Sequence, residues 1–143
     1  QEIISKMDCI FCKIVTGSIP ARMIEETQKS LAFLDAFPLA KGHTLVIPKT
    51  HYSKVQEMTK DDTSDIFELA KNVTKKLESL SPAVLIAIHN GKESGQEVPH
   101  VHIHLIPRNL SDKAGPVHNM FSNRPQFSDA ELNDIEKTIK NFK

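Results

Sequence analysis

The stretch HVHIHLIP at residues 100–107 alternates histidine with apolar residues before closing on an apolar pair, and a period of two belongs to a β-strand. Successive strand side chains point to opposite faces, so His100, His102 and His104 share one side while Val101, Ile103 and Leu105 share the other. A chain carrying this segment has to build a sheet with one face packed on a core and the other lined with imidazoles. At a rise of about 3.3 Å per residue, adjacent histidines stand roughly 6.6 Å apart and the outer two roughly 13 Å. Two neighbours can meet at one zinc with Zn–N bonds near 2.0 Å, but three in a row do not readily converge on one ion. Metal ligation, attack on a substrate and simple exposure to solvent all stay open for individual members of the row.

The remaining chain supplies the other layers. The segment IFCKIV has apolar residues at the i, i+1, i+4, i+5 positions of a helical face and is stopped by Gly17, which predicts a short N-terminal helix. RMIEET and SLAFLDA read as a hairpin ending at Phe37-Pro38, and HTLVIPK reads as a third strand. Thr59 caps the next helix, with Asp61 and Asp62 in its first turn. Its core face of Ile66, Leu69, Ala70, Val73, Leu77 and Leu80 predicts a run to about Leu80. AVLIAIHN is expected as a buried strand pairing antiparallel with PHVHIHLIP across the loop NGKESGQEV. Residues 109–127 lack periodicity, and S-D-A-E at 128–131 is a capping box for a final helix carrying Leu132, Ile135, Ile139 and Phe142. The order predicts an α+β fold with a mainly antiparallel sheet.

A length of 143 residues suits one domain, and 18 basic against 18 acidic residues give zero formal charge. No long-range field then recruits nucleic acid or an anionic membrane, so any phosphate recognition has to be local. The apolar runs fall far short of the roughly 18 residues that span a bilayer, and a cytoplasmic protein is expected. Cys9 and Cys12 form a C-x-x-C pair, either two free thiols or two ligands from one turn. In the loop before the histidine row, Asn90, Gly91, Gly95 and Gln96 place small residues and amide donors where backbone N–H groups can cradle an anion.

The histidine row, with DCIFCKIVTGSIPA at 8–21, LAFLDAFPLAKGHTLVIPKTH at 31–51 and NGKESGQEVPHVHIHLIPR at 90–108, resembles the histidine triad (HIT) superfamily, and within it the Hint-like microbial branch. The resemblance implies a HIT domain over 8–108, a flexible extension at 1–7, and a C-terminal arm and helix at 109–143. It also implies a homodimer joined through the long helix and a neighbouring strand. The expected activity is hydrolysis or transfer at the α-phosphate of nucleoside phosphoramidates, adenylates or dinucleoside polyphosphates.

Residue by residue, the resemblance makes His102 the nucleophile that forms a nucleotidyl-histidine, with His104 and His43 assisting. Asp35 matches the acceptor of both ribose hydroxyls. Ile10, Phe11, Ile14, Phe33 and Leu34 match the slot for a purine base, although read alone they are ordinary core. Asn90, Gly95, Gln96, Glu97 and Val98 match ribose and phosphate contacts. Glu97 departs from the serine many Hint-like proteins carry, and a carboxylate there repels phosphate and bears on the leaving group. In the branch resembled, the cysteine pair joins two histidines around a structural zinc; here these are Cys9, Cys12, His51 and His100, with catalysis needing no metal.

Two further activities within reach of this reading are a dinucleoside polyphosphate hydrolase and a non-catalytic purine-nucleotide-binding scaffold. A zinc-dependent hydrolase built on the histidine row is a third. His89 and His118 have no assignable role.

Overall fold

Cys9 opens the first element: its sulfur accepts the amide of Cys12 at 3.5 Å and caps α1 (Ile10–Val15). A computed structural model describes residues 8–143, so the extension at 1–7 lies outside the described residues. Phe11 and Ile14 of α1 are buried, whereas Ile10 points its apolar surface outward at 47% exposure.

Five strands follow: β1 (Met23–Glu26), β2 (Ser30–Leu34), β3 (Thr44–Pro48), β4 (Ala83–Ala87) and β5 (Ile103–Arg108). They form one antiparallel sheet in the order β1-β2-β3-β5-β4. Between β3 and β4 runs α2 (Lys60–Leu77), capped by the Thr59 hydroxyl accepting the Asp62 amide at 3.1 Å. Its residues Ile66, Leu69, Ala70, Val73 and Leu77 join Ala32, Val46, Val101, Ile103 and Leu105 in one core on one face of the sheet. On the other face Cys9, Phe11 and Ile14 pack with Leu31, Phe33, Leu45 and Ile47. Period-two alternation in β2 and β3 thus feeds two cores at once.

The chain divides after Ser111, and Asp112–Lys143 form a second unit. That unit holds a single 3-10 turn at Val117–Met120, within the stretch expected to be irregular, and α3 (Asp129–Lys140). The Ser128–Glu131 capping box that starts α3 is present with both of its reciprocal bonds.

Three boundaries and the burial of one strand differ from the sequence expectation. α2 stops at Leu77; residues 78–80 continue as a turn and Leu80 is 46% exposed. β2 ends at Leu34, because Asp35 turns the chain by accepting the Phe37 amide at 2.9 Å. β4 is an edge strand, not a buried one, with Leu85 and Ile86 39% and 50% exposed. β5 begins only at Ile103, since the amides of His100 and Val101 bond to the carbonyls of Val98 and Tyr52 and not to a neighbouring strand.

Candidate active site and metal centre

Each histidine of the row has one ring nitrogen fixed by a hydrogen bond, and the fixed partner sets where the proton sits. His102 Nδ1 lies 2.7 Å from the carbonyl of His100, so Nδ1 carries the hydrogen and donates, leaving a lone pair on Nε2. His100 Nε2 donates to the Pro48 carbonyl at 2.9 Å, leaving a lone pair on Nδ1. His43 Nδ1 accepts the Leu39 amide at 3.0 Å, so its Nε2 carries the hydrogen and donates to His104 Nδ1, also at 3.0 Å. His104 is therefore left with an N–H at Nε2. A backbone amide and two backbone carbonyls have set four imidazoles so that one nitrogen can attack and another can donate.

Asp35 completes this corner, with Oδ2 3.5 Å from His43 Nε2 and Oδ1 accepting the Phe37 amide. Asp35, His43 and His104 bring three ligand-type atoms within 4.8 Å of one another. A cation there would need an imidazolate from His43, whose other nitrogen already accepts an amide, so this cluster is a hydrogen-bond relay and not a metal site.

A second cluster, of cysteines and histidines, has the opposite character. Cys9 Sγ stands 3.4 Å from His100 Nδ1, and Cys12 Sγ stands 3.6 Å from the same nitrogen and 3.3 Å from His51 Nδ1. The two Nδ1 atoms are 3.2 Å apart. Bonds of about 2.0–2.1 Å to nitrogen and about 2.3 Å to sulfur at tetrahedral angles give ligand separations of roughly 3.3–3.8 Å. Cys9, Cys12, His51 and His100 are positioned to bind a metal ion, all four donor atoms lying within 4.8 Å of one another. The Pro48 carbonyl behind His100 Nε2 is the outer partner that orients a ligating imidazole. His100 belongs to both centres, offering its ring to the cluster and its carbonyl to His102.

Burial sets the charge state. It lowers the His102 imidazole, a fall opposed by the hydrogen bond to the His100 carbonyl. It lowers His43, opposed by Asp35. Burial pushes His104 down to about 4, with His102, His43 and His89 adding to the fall and Asp35 opposing it. The ordinary value is 6.5, so between 6.5 and about 4 the unfolded chain takes up a proton that folded His104 refuses. Stability from this group is complete above 6.5 and is lost as the pH falls toward 4. Thermal melts are expected to give a lower Tm at pH 5 than at pH 7, with His104→Asn narrowing the gap. Identical wild-type melts at both values would contradict this account.

The other residues singled out by sequence divide into two groups. Phe11, Ile14 and Phe33 are buried core, with Phe11 meeting Phe33 edge-on at 5.8 Å and the His102 ring at 5.0 Å, which leaves Ile10 and Leu34 as the accessible apolar edge. The loop residues are bound within the loop and to the segment 53–56 before α2. Gln96 accepts the Gly91 amide at 2.7 Å and donates to the carbonyls of Ser53 and Val98 at 2.9 and 3.0 Å. Asn90 accepts the Val55 amide and donates to Gln56. The amides of Gly91, Ser94, Gly95 and Gln96 also donate within the loop, so of the amides from Gly95 to Val98 those of Glu97 and Val98 are the ones with no acceptor among the described residues. Glu97 is exposed, and it acts with Asp35 as one of two anions on His102.

His89, unassigned from sequence, lies against this site. Its ring sits 5.3 Å from that of His104, and a Cβ on Gly95, at φ +105°, would touch it at 3.5 Å. The signal was available, since His89 lies two residues beyond Ala87, the residue paired with His104.

The family model of the HIT domain matches residues 16–110. An uncharacterized HIT-like protein of Methanocaldococcus jannaschii is 41% identical over 92% of this chain and 98% of its own length. Adenosine 5'-monophosphoramidase of Schizosaccharomyces pombe is 49% identical over 71% of this chain and 75% of its own. Among solved structures, the histidine triad nucleotide-binding protein of Candida albicans superposes with a TM-score of 0.79 at 33% identity, covering 92% of this chain and 94% of that one.

Proposed function

The chain belongs to the HIT domain family, and we propose that it is a hydrolase cleaving nucleoside phosphoramidates or related adenylates at the α-phosphate through a nucleotidyl-histidine on His102. The observation that carries this reading is the fixed tautomer of His102: a buried imidazole whose Nε2 lone pair is held available by the Nδ1 bond to a carbonyl. The name of the fission-yeast relative supplies the substrate class.

Nε2 attacks the phosphorus in line and the leaving group departs; water then breaks the P–N bond to release the nucleotide. Charge on the phosphoryl oxygens is met by the His104 Nε2–H and by the amides of Glu97 and Val98, the Gly95 and Gln96 amides being bonded to loop carbonyls. Asp35 receives the ribose hydroxyls. Ile10 and Leu34 meet the base, with Phe11, Ile14 and Phe33 supporting them from behind.

Zinc is the ion we assign to Cys9, Cys12, His51 and His100, on their sulfur and nitrogen donors. A four-ligand site of this kind has no open position, so its contribution is structural. Thiolate ligation also favours the cytoplasm, where cysteines stay reduced. The exposed Leu85 and Ile86 on the open edge of β4, together with exposed Phe67 on α2, fit a homodimer that continues the sheet. Light scattering is then expected to return twice the chain mass.

Mixing the protein with an adenosine 5'-phosphoramidate and quenching in base tests the central claim. The expected product is protein heavier by one adenylyl group, mapped to His102; turnover with no such adduct, or an adduct elsewhere, would overturn it.

A further inference from the structure

Four rings stand in a row across the site. Phe11 meets His102 at a centroid distance of 5.0 Å, His102 meets His104 at 5.0 Å, and His104 meets His89 at 5.3 Å. Phe11 marks the end where the base is proposed to sit, so a leaving group on the α-phosphorus extends the other way, toward His89.

The imidazoles of the row differ in what their nitrogens can do. His102 donates through Nδ1 and needs its other lone pair for attack, and His104 Nδ1 is occupied by the hydrogen from His43. An extra proton on His104 Nδ1 would break the bond from His43, and one on His102 Nε2 would block the lone pair that attacks. His89 is half-buried, and neither of its ring nitrogens has a hydrogen-bond partner among the described residues. The ring lies beside the phosphate loop: a Cβ built on Gly95 would reach it at 3.5 Å, an ordinary contact, and what calls for glycine there is the left-handed backbone at φ +105°.

We infer that His89 is a further catalytic residue, the general acid that protonates an amine leaving group as the bond from phosphorus to nitrogen breaks. The inference rests on the nucleotidyl-histidine reading of the preceding subsection. In the first half-reaction His102 Nε2 bonds to phosphorus, and the electron pair of the breaking P–N bond goes to the amine nitrogen. That nitrogen takes the proton from the His89 imidazolium, leaving as a neutral amine and leaving His89 neutral. In the second half-reaction water attacks the phosphorus and gives a proton to His89, and the electron pair of the bond to His102 returns to Nε2. His89 ends as it began.

Glu97 sharpens the choice of substrate. An exposed carboxylate acting on His102, with no cationic partner among the described residues, opposes a polyphosphate leaving group and tolerates an amine. Amines also need the proton, being far poorer leaving groups unprotonated than phosphates are. The titratable side chains nearest His89 are His102 and His104 of the histidine row; the loop below it adds Lys92, Glu93 and Glu97.

The test compares two probes in wild type and His89→Gln, with His89→Ala as a second variant and circular dichroism as a check on folding. One probe is the N-propyl phosphoramidate of AMP, which needs an acid; the other is the p-nitrophenyl ester of AMP, whose anion leaves unaided. His89→Gln is expected to lose roughly 10²–10³-fold in kcat on the phosphoramidate and less than about threefold on the ester. Equal losses on both probes, or none on either, would show that His89 only fills space under Gly95 and would overturn the inference. Adduct formation on the ester separates the two claims: adenylyl-His102 with no selective loss sinks the role of His89 alone, whereas absence of the adduct in wild type sinks both.

Discussion

Replacing His102 with asparagine is expected to lower kcat on an adenosine 5'-phosphoramidate by roughly 10⁴-fold or more, the scale on which removal of a covalent nucleophile acts. Asparagine is the informative substitution here because its amide N–H can keep the bond to the His100 carbonyl that histidine makes through Nδ1. The local chain is thereby retained, and the loss is confined to the lone pair that attacks phosphorus. His102→Ala removes the same lone pair but also leaves a hole beside Phe11, in contact with a ring only 7% exposed, and should lower the Tm as well. AMP binding uses the other walls of the site, so its Kd is expected to shift by less than about tenfold. Turnover within a few-fold of wild type in either variant would refute covalent catalysis at this residue. AMP binding without turnover in the wild-type protein would instead favour the scaffold reading.

The second large effect belongs to the metal centre. Cys12→Ser is expected to reduce bound zinc from one per chain to none by elemental analysis. With it should go roughly 3 kcal/mol of stability, or a Tm lower by about 10 °C for a chain of this size. Activity should fall as well, by way of His100, whose ring belongs to the cluster and whose carbonyl sets the tautomer of His102. Stripping zinc with a chelator should reproduce both changes together. Loss of activity with an unchanged melting temperature would point to an ion acting in the chemistry, the zinc-dependent hydrolase reading. An unchanged melt with unchanged activity would mean that the four donors hold no structural ion.

How much of this was legible in the sequence follows from how local each signal is. The caps at Thr59 and Ser128 and the buried stripe of α2 up to Leu77 are written within a few residues and appear as expected, while Leu80 falls beyond the helix and the histidine row is strand only from Ile103 on. The burial of β4 was misjudged because an apolar strand reads alike in the centre of a sheet or at its edge. Only the order β1-β2-β3-β5-β4, set by contacts distant in sequence, decides between them. The late start of β5 depends on Tyr52 and Val98 capturing two amides, which no periodicity encodes. At the site, the Cys9, Cys12, His51 and His100 grouping came from family resemblance, since spacing alone supplies two ligands and not four. The proton positions needed the structure, because Leu39, Pro48 and the His100 carbonyl act through backbone atoms that residue types do not reveal.

The placement of Cys9 against His100 has a consequence for how the chain finds its shape. The two are separated by 91 positions, and α1 is only six residues long. So short a helix has almost no stability alone, and bringing such distant positions together carries the entropic cost of closing a long loop. α1 is therefore expected to dock late, onto a sheet whose β2–β3 hairpin is already formed. An ion joining Cys9 and Cys12 to His51 and His100 would work as a clasp on the last fold of the chain, adding to the bonds from His100 to Pro48 and Val98 that steady the carbonyl facing His102.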